Sequence, residues 1–204
     1  MDQSFWNTRY AASEYAYGTA PNVFLQEQLK GFPQGKLLFP CDGEGRNGVY
    51  AATLGHNTHA FDMSEAGQHK AQQLAKQHGV NIHYQVNEFS DVQYPENHFD
   101  GIAMIYAHFP AALRAGFHKQ LIYWLKPGGT LWLEGFSTAH TAFQAINPHA
   151  GGPKDPSMLY TETQLRNEFS ALSIHHLEPC EIELHEGPYH HGRAAVIRLV
   201  ATKK

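Results

Sequence analysis

Three glycines spaced as Gly43-x-Gly45-x-x-Gly48 form the pattern in this sequence with the most definite chemistry. They follow a short apolar run at residues 36–39 and precede a segment with a helical pattern at residues 47–54. Residues without a Cβ let the chain turn sharply and let a ligand touch the backbone. The first N–H groups of the helix then attract an anionic group. The spacing predicts a site for a nucleotide-type ligand, and the alternative is a tight turn that binds nothing.

A carboxylate lies where such a site would need one. Asp62 follows a second apolar run at residues 59–61, where a side chain can accept hydrogen bonds from both hydroxyls of a ribose. Two classes of ligand fit: a dinucleotide with its pyrophosphate on the helix, or a cofactor with a methionine carboxylate there. None of the 10 tyrosines begins the Tyr-x-x-x-Lys pair of a short-chain dehydrogenase, and no residues remain for the second domain of a larger one. The second class is therefore favoured.

The elements that must position these residues follow from the apolar pattern. Short apolar runs alternate with helical segments, which is typical of βαβ units and a parallel sheet. Ser64 is a predicted N-cap, and Thr161 with Gln164 resembles a capping box. The predicted strands lie at residues 36–39, 59–61, 82–86, 99–106, 130–134, 173–184 and 194–202, and a turn precedes the fifth at residues 127–129.

With 204 residues, the chain is expected to form one domain, residues 1–204. Its predicted parts are an N-terminal helical segment that can act as a lid (1–30), a ligand-binding half (36–135), a long mobile loop (137–160), and a helix with two strands (161–204). The aromatic side chains of the first part fit either a lid or simple packing against the sheet: Phe5, Trp6, Tyr10, Tyr15, Tyr17 and Phe24.

Composition excludes several classes of function. The net charge is −4 and no basic run occurs, so no nucleic-acid partner is expected. No apolar run of about 18 residues and no leader pattern occur, so no membrane partner is expected. Two cysteines make no disulfide framework, which indicates a cytoplasmic location. The 15 histidines lack paired-ligand spacing, so no metal is expected, and the chain is expected to be a monomer or a homodimer.

Several segments together resemble the class I S-adenosylmethionine-dependent methyltransferases. Residues 38–47 (LFPCDGEGRN) resemble the first motif of that family, residues 61–64 (FDMS) the second, residues 99–102 (FDGI) the start of strand four, and residues 125–129 (LKPGG) the turn before strand five. The wider chain is similar to the bacterial tellurite-resistance-type methyltransferases in its segments 17–22, 108–110, 151–154 and 186–192. The family usually has an acidic residue where this chain has Phe39 and a glycine where it has Cys41.

The resemblance implies an α/β, Rossmann-like fold: a seven-stranded, mostly parallel sheet with an antiparallel last strand and helices on both faces. It implies S-adenosylmethionine as the cofactor, S-adenosylhomocysteine as the product, and a small-molecule acceptor, with a chalcogen oxyanion and another small metabolite both open. An NAD(P)-dependent oxidoreductase and a non-catalytic cofactor-binding module are the alternatives. The implied cofactor-binding residues are Asp42, Gly43, Gly45, Arg46, Asn47, Asp62, Met63, Asn87, Glu88, Phe89, Ile105 and Tyr106. For Met63 core packing is the alternative, and for Arg46 a solvated position.

Methyl transfer from a sulfonium is an in-line displacement, so the protein mainly aligns the reactants in a dry site. A general base is needed only if the acceptor carries a proton. His108, just after the fourth strand, is the first candidate for the base or for a substrate contact, and its alternative role is to bond a local carbonyl. The other candidates for substrate contact are Tyr17, Asn22, His185 and His190, and Tyr17 and Asn22 are expected to be closer to the ligand than Phe5 or Trp6.

Overall fold

The computed structural model describes residues 2–204, so Met1, the first residue of the predicted domain, lies outside the described residues. Within residues 2–204 there are seven strands: β1 (Lys36–Pro40), β2 (Asn57–Asp62), β3 (His83–Val86), β4 (Phe99–Ile105), β5 (Leu125–Phe136), β6 (Leu172–His185) and β7 (His191–Lys203). They form a single sheet in the order β3-β2-β1-β4-β5-β7-β6. Strands β1 to β5 pair in parallel, and β7 is antiparallel to both of its neighbours. The predicted sheet with its antiparallel last strand is confirmed.

Helices cover both faces of this sheet. They are α1 (Gln3–Tyr10), α2 (Val23–Leu29), α3 (Arg46–Thr53), α4 (Glu65–Gln77), α5 (Ala111–Trp124), α6 (His140–Ile146) and α7 (Glu162–Glu168). Successive side chains of a strand point to opposite faces, so Leu37 and Phe39 of β1 pack with α2, α3 and α4, whereas Leu38 packs with α5 and α7. This division explains why the central strands are continuous apolar runs: both faces are buried.

Side chains cap the helices where the sequence predicts it. The Ser64 hydroxyl accepts a hydrogen bond from the N–H of Gly67 (3.0 Å), which begins α4. Thr161 and Gln164 form the complete capping box of α7, with both reciprocal bonds present. These bonds satisfy N–H groups that have no partner inside the helix.

The turn before the fifth strand lies within β5. Phe99 pairs with Leu125, but Gly101, two residues on, pairs with Thr130, so residues 126–129 form an excursion between two paired parts of the strand. Gly128 in this excursion has φ +77°, a conformation that favours glycine. The sequence predicted the turn correctly and placed the beginning of the strand too late.

The segment 137–160, which was expected to be a long mobile loop, contains helical structure. It contains α6 and a short 3₁₀ helix (Pro156–Met158). The buried ring of His140, in the first turn of α6, stacks on Phe136 (4.2 Å between centroids), and its Nδ1 accepts the N–H of Ala195 (3.3 Å). Contacts with β5 and β7, which no local pattern reveals, therefore hold this helix.

Candidate functional site

A cavity of about 950 Å³ lies at the carboxyl ends of the parallel strands. Its wall includes the segment after β1, the end of β2 and the segment after β4. Ligands of open α/β sheets bind at this edge. All but three of the predicted site residues line it: Tyr17, Asp42, Gly43, Arg46, Asn47, Asp62, Met63, Asn87, Glu88, Phe89, Ile105, Tyr106, His108 and His190. The exceptions are Asn22, Gly45 and His185.

The turn after β1 has a left-handed backbone at three residues: Cys41 (φ +55°), Gly43 (φ +54°) and Gly45 (φ +82°). Cys41 stands where the resembled family has glycine, and it keeps the conformation that glycine adopts most easily. Gly43 lines the cavity, and a Cβ there would lie 2.6 Å from the hydroxyl of Tyr10. The close approach of the N-terminal helix α1 thus requires glycine at this position.

Gly45 lies at the contact between α3 and α4. It does not line the cavity, and a Cβ there would lie 2.5 Å from the Cβ of Ala71 in α4. Its lack of a side chain lets α3 and α4 pack closely, which is a structural reason for glycine here, and the contact between Gly45 and the cofactor stays a prediction.

Asp62 ends β2 with its carboxylate fixed by backbone donors. The N–H of Gly43 donates to Oδ2 (3.1 Å) and the N–H of Ser64 donates to Oδ1 (3.0 Å). Burial raises the pKa of Asp62 to about 6, although these N–H groups favour the charged form. Each carboxylate oxygen can accept a further hydrogen bond, so Asp62 is oriented and can still bind two hydroxyls in the cavity.

Asp42 lies beside it in the same wall. The N–H of Gly48 donates to Oδ2 of Asp42 (3.0 Å). Burial raises the pKa of Asp42 to about 8, against the opposing effects of that bond and of the Arg46 charge. The Asp42 carboxyl is therefore largely protonated at neutral pH, and the start of α3 faces the cavity without a strong negative charge beside it.

Arg46 is buried rather than solvated, being 7% exposed. Its Nη2 donates to Oε2 of Glu186 (2.9 Å) and its Nη1 to the carbonyl of Tyr17 (3.3 Å). Burial by itself would raise the pKa of Glu186, but the hydrogen bond from His190 and the charge of Arg46 outweigh it and lower the pKa to about 2. Glu186 is thus permanently ionised, at the turn between β6 and β7.

Glu134 is a further carboxylate, which lies behind the cavity wall and was not predicted from the sequence. The Glu134 side chain is completely buried in β5 and accepts three hydrogen bonds: from Asn22 Nδ2 (2.6 Å), Tyr106 Oη (2.8 Å) and Arg198 Nε (2.6 Å). Asn22 is occupied by this contact and does not line the cavity, so its contact with substrate stays a prediction that the cavity lining does not support. A single glutamate inside the apolar run 131–136 was the one signal in the sequence for this site.

Tyr106 connects this buried carboxylate to the cavity. Its backbone is left-handed (φ +54°), its N–H donates to the carbonyl of Glu134 (2.7 Å), and its ring lines the cavity. A left-handed tyrosine stores strain, which the surrounding bonds must offset. The end of β4 is therefore held in one conformation at the point where Ile105 and Tyr106 were expected to meet a ligand.

His108 lines the cavity but cannot serve as a general base in this structure. Its Nδ1 bonds the carbonyl of Met158 (2.9 Å), and its Nε2 accepts the N–H of Phe136 (3.0 Å). Burial lowers the pKa of His108 to about 4, which keeps the ring neutral. Both ring nitrogens are occupied, so the alternative of a histidine bonded to a local carbonyl is the correct one.

The remaining two histidine candidates differ in place. His185 ends β6, is exposed, and does not line the cavity; its ring lies 5.7 Å from that of His191. The cavity lining therefore does not support the predicted substrate contact of His185. His190 is buried in the cavity wall, with Nδ1 3.1 Å from Oε2 of Glu186.

The far end of the cavity is lined by the segment after β3. The N–H of Asn87 donates to the carbonyl of Asp62 (3.0 Å), which joins this segment to β2. Phe89 lies at the border of the core and stacks on Phe117 (4.2 Å between centroids), and the side chain of Glu88 is exposed. Met63 is half-buried in the wall and belongs to none of the hydrophobic clusters of the described chain, so core packing does not explain it.

Helix α1 closes one side of the cavity. Phe5, Trp6, Arg9 and Tyr10 line it, and Trp6 stacks on Tyr10 (5.5 Å between centroids). Phe5 and Trp6 therefore line the cavity together with Tyr17, whereas Asn22, which was expected to be a likelier ligand contact than either of them, does not. The other two N-terminal aromatic residues pack elsewhere: Tyr15 donates its hydroxyl to the carbonyl of Lys70, and Phe24 lies in the core.

An ion pair joins the N-terminal segment to the glycine turn. Lys70 Nζ donates to Oε1 of Glu44 (2.7 Å), and the N–H of Ala16 donates to Oε2 (2.8 Å). The Glu44 side chain is 3% exposed and that of Lys70 9%, and no pattern in the sequence predicted this pair. The wall contributed by residues 16–18 is therefore fixed relative to the turn.

Residues 2–204 contain neither a cluster of metal-binding side chains nor a helix that could span a membrane. Among residues 2–204 there is no group of three or more histidine, cysteine, aspartate or glutamate side chains that could hold a metal ion. In the same range no helix is long and apolar enough to cross a membrane.

Comparisons with known proteins agree with this architecture. Residues 40–129 match the family described as a methyltransferase domain, whereas a search of the curated proteins finds no match. A structure from work on the conversion of a disulfide bond into a thioacetal group during echinomycin biosynthesis superposes with a TM-score of 0.78 at 16% identity, covering 99% of this chain and 92% of that one. TehB from Haemophilus influenzae gives 0.70 at 16% identity, covering 99% and 67%.

A third similar structure contains bound SAH. Magnesium protoporphyrin IX methyltransferase (ChlM) from Synechocystis PCC 6803, with bound SAH, gives a TM-score of 0.65 at 15% identity, covering 99% of this chain and 83% of that one. At such identities these structures show the fold. Residues 40–129 are thus similar to the methyltransferase-domain family, and the chain shares the Rossmann-like fold of these three structures.

Proposed function

We propose that this chain is an S-adenosylmethionine-dependent methyltransferase that acts on a small-molecule acceptor. The observation that carries the proposal is the geometry of Asp62: backbone N–H groups of Gly43 and Ser64 orient its carboxylate in the wall of a cavity large enough for a nucleoside. A carboxylate at the end of the second strand can accept both ribose hydroxyls.

The other residues of the wall fit the rest of the cofactor. Arg46 and Asn47 begin α3, whose first N–H groups have no helical partner and can bind the methionine carboxylate. The protonated state of Asp42 removes a charge that would repel that carboxylate. Met63, Asn87 and the segment 88–89 would contact the adenine.

Residues at the end of β4 would contact the cofactor amino group, through Ile105 and Tyr106. When bound, the cofactor supplies an electrophilic methyl group on a positively charged sulfur. The chain's own residues bind, orient and exclude water. Rings of Tyr17 and Trp6 lie in the wall where faces of aromatic systems can favour a cation.

The acceptor stays open between a chalcogen oxyanion and another small metabolite. TehB and ChlM share this fold, and the name of ChlM gives magnesium protoporphyrin IX as its substrate. A fold shared at such low identity does not identify an acceptor. We therefore propose a reaction class, methyl transfer from S-adenosylmethionine, and not a specific acceptor.

The sheet also bears on the nicotinamide alternative. Dinucleotide-binding sheets have the strand order 3-2-1-4-5-6, whereas here β7 is inserted antiparallel between β5 and β6. Calorimetry with S-adenosylhomocysteine and with NAD(P) separates the two. Saturable heat with S-adenosylhomocysteine alone supports the proposal, and heat with NAD(P) alone contradicts it. Binding of S-adenosylhomocysteine without transfer to any acceptor would indicate a non-catalytic binding module.

Substitution of Asp62 tests the residue that carries the proposal. Asp62→Ala should weaken binding of S-adenosylhomocysteine by about 2–4 kcal/mol, or about 30- to 1,000-fold, because two hydrogen bonds to a charged group are lost. Asp62→Asn keeps the size and can still accept one bond, so it should fold more readily and lose less. Asp91→Ala, on an exposed aspartate outside the cavity, is the control. Equal affinity of wild type and both Asp62 variants would remove the ribose role.

A further inference from the structure

Of the two histidines that line the cavity within residues 2–204, His190 alone contacts a carboxylate, that of Glu186, which does not itself line the cavity. The two residues belong to the connection between β6 and β7, where the N–H of Glu186 donates to the carbonyl of His190 (2.9 Å). His190 Nδ1 lies 3.1 Å from Oε2 of Glu186, and the two side chains are 6% and 13% exposed. A buried ionised carboxylate requires a donor, so Nδ1 of His190 carries the proton and Nε2 keeps its lone pair.

His190 lines the cavity, and the unprotonated edge of its ring lies beside Gly151, which lines it too. Within the described chain Nε2 of His190 has no hydrogen-bond partner, in contrast to both nitrogens of His108. Gly151, which also lines the cavity, abuts that edge: a Cβ on it would lie 2.4 Å from Cδ2 of His190 and 3.0 Å from Nε2. With φ +80° and no side chain, Gly151 leaves Nε2 accessible from the cavity.

The rest of the ring is fixed by packing. The ring of Tyr17 lies 4.4 Å away, that of Tyr106 4.6 Å and that of Phe136 5.2 Å, as centroid distances. Glu186 is itself held by Arg46 and, through Oε1, by Asn22 (3.3 Å). A base acts well only if its orientation is set before the reaction, and here both partners of the pair are oriented by other elements.

We propose that His190 is the general base of this site and accepts through Nε2 the proton of a hydroxyl, amine or thiol acceptor, with Glu186 as its positioning residue. This rests on the proposed function. The bond between the acceptor atom and its hydrogen breaks, and the proton binds Nε2 of His190. The electron pair left on the acceptor atom forms the bond to the methyl carbon. The electron pair of the broken carbon–sulfur bond stays on sulfur. Glu186 then stabilises the imidazolium.

The surroundings keep His190 neutral before the reaction. Burial lowers the pKa of His190. The hydrogen bond and charge of Glu186 raise it, and the charges of Arg46 and Arg9 lower it further. The titratable and charged groups that face the ring are Glu186, Arg46 of α3, Arg9 of α1, Tyr17, Tyr106, His108 and His140 of α6. A neutral base at neutral pH is what the transfer of a proton from the acceptor needs.

The first experiment uses the protein without cofactor or acceptor. Nitrogen-detected NMR of the imidazoles, with His190→Gln to assign the signal, should show the Nδ1–H tautomer for His190. Glu186→Gln should lower the pKa of His190 by about one unit or more because an opposite charge is removed. Glu183→Gln, on an exposed residue of β6, should leave it unchanged. An Nε2–H tautomer, or a pKa that Glu186→Gln does not move, would overturn the proposal.

The second experiment measures formation of S-adenosylhomocysteine with phenol and with thiophenol, at a pH where thiophenol is ionised and phenol is not. His190→Gln should slow transfer to phenol by about 10²- to 10⁴-fold and transfer to thiophenol far less. His185→Gln, on an exposed histidine outside the cavity, should slow neither. Equal losses with both acceptors would contradict the role as base.

Calorimetry separates this proposal from the proposed function. Because His190 acts on the acceptor, His190→Gln should bind S-adenosylhomocysteine as wild type does. If the wild-type protein bound no S-adenosylhomocysteine, the proposed function would be refuted. Normal binding together with an Nε2–H tautomer, or with equal rate losses for both acceptors, would refute only the role of His190 as base.

Discussion

Replacing Gly45 by alanine should destabilise the fold by about 2–5 kcal/mol. A left-handed alanine costs about 1–2 kcal/mol relative to glycine, and φ of Gly45 is +82°. The new Cβ would also lie 2.5 Å from the Cβ of Ala71 and 2.9 Å from its Cα, which requires α3 and α4 to move apart. Overpacking of this kind costs about 1–3 kcal/mol.

Gly79 provides a matched control. Its φ is +67°, and a Cβ there would meet no atom within 4 Å, so Gly79→Ala carries the backbone penalty alone, about 1–2 kcal/mol. The free energy of unfolding is measured by urea denaturation, followed by circular dichroism. Gly45→Ala should exceed Gly79→Ala by the packing cost.

A double-mutant cycle isolates that packing cost. Ala71→Gly alone should cost about 1 kcal/mol because glycine weakens a helix interior. In the Gly45→Ala background it should recover part of the loss, since it removes the contact at 2.5 Å and leaves the one at 2.9 Å. If Gly45→Ala cost no more than Gly79→Ala, close packing of the two helices would not be the reason for glycine at this position.

Three further predictions, one of them with a control variant, have defined outcomes. Cys41→Gly should stabilise the protein by about 1 kcal/mol in urea denaturation because it relieves a left-handed backbone at φ +55°; a loss would show that the side chain matters more. Arg198→Met should cost about 3–5 kcal/mol in the same assay by leaving Glu134 buried and uncompensated, while Arg166→Met, in an exposed pair, should cost under about 1 kcal/mol. Asp42→Asn should be more stable than wild type, and the difference in the free energy of unfolding should grow by about 1.4 kcal/mol per pH unit from the ordinary pKa of an aspartate to about 8. The reason is that the folded wild type keeps a proton on Asp42 that the unfolded chain has released. A difference that does not change with pH would refute the raised pKa of Asp42.

The sequence revealed the parts of the fold that depend on local patterns. The central strands β1, β4 and β5 are largely apolar because helices cover both faces, so their pattern is visible without knowledge of their partners. Ser64 and Thr161 cap helices through N–H groups three residues away, which is also a local relation. Gly43 and Asp62 were found in the same way, because a strand end and a turn both leave marks in the chain.

What the sequence could not reveal depends on strands that meet only in the sheet. Glu186 is 140 residues from Arg46 along the chain, and Glu134 is 64 residues from Arg198. These pairs exist because β7 lies beside β5, which no spacing encodes. The error on His108 has the same origin: the donor that occupies its Nε2 is the N–H of Phe136, at the end of the neighbouring strand.

Asn22 shows how these distant elements are coupled. Its Nδ2 donates to Oε1 of Glu134 (2.6 Å) and to Oε1 of Glu186 (3.3 Å), while its Oδ1 accepts the N–H of Leu25 (3.0 Å) and caps α2. One buried amide therefore starts a helix and bonds two carboxylates, one in β5 and one in the connection between β6 and β7. Because Glu186 in turn fixes Nδ1 of His190, the order of the N-terminal segment and the orientation of the proposed base depend on the same side chain. A site built in this way is complete only when the N-terminal segment is folded against the sheet, which explains why residues 16–22 are bonded to the glycine turn and to β5 rather than left as a free lid.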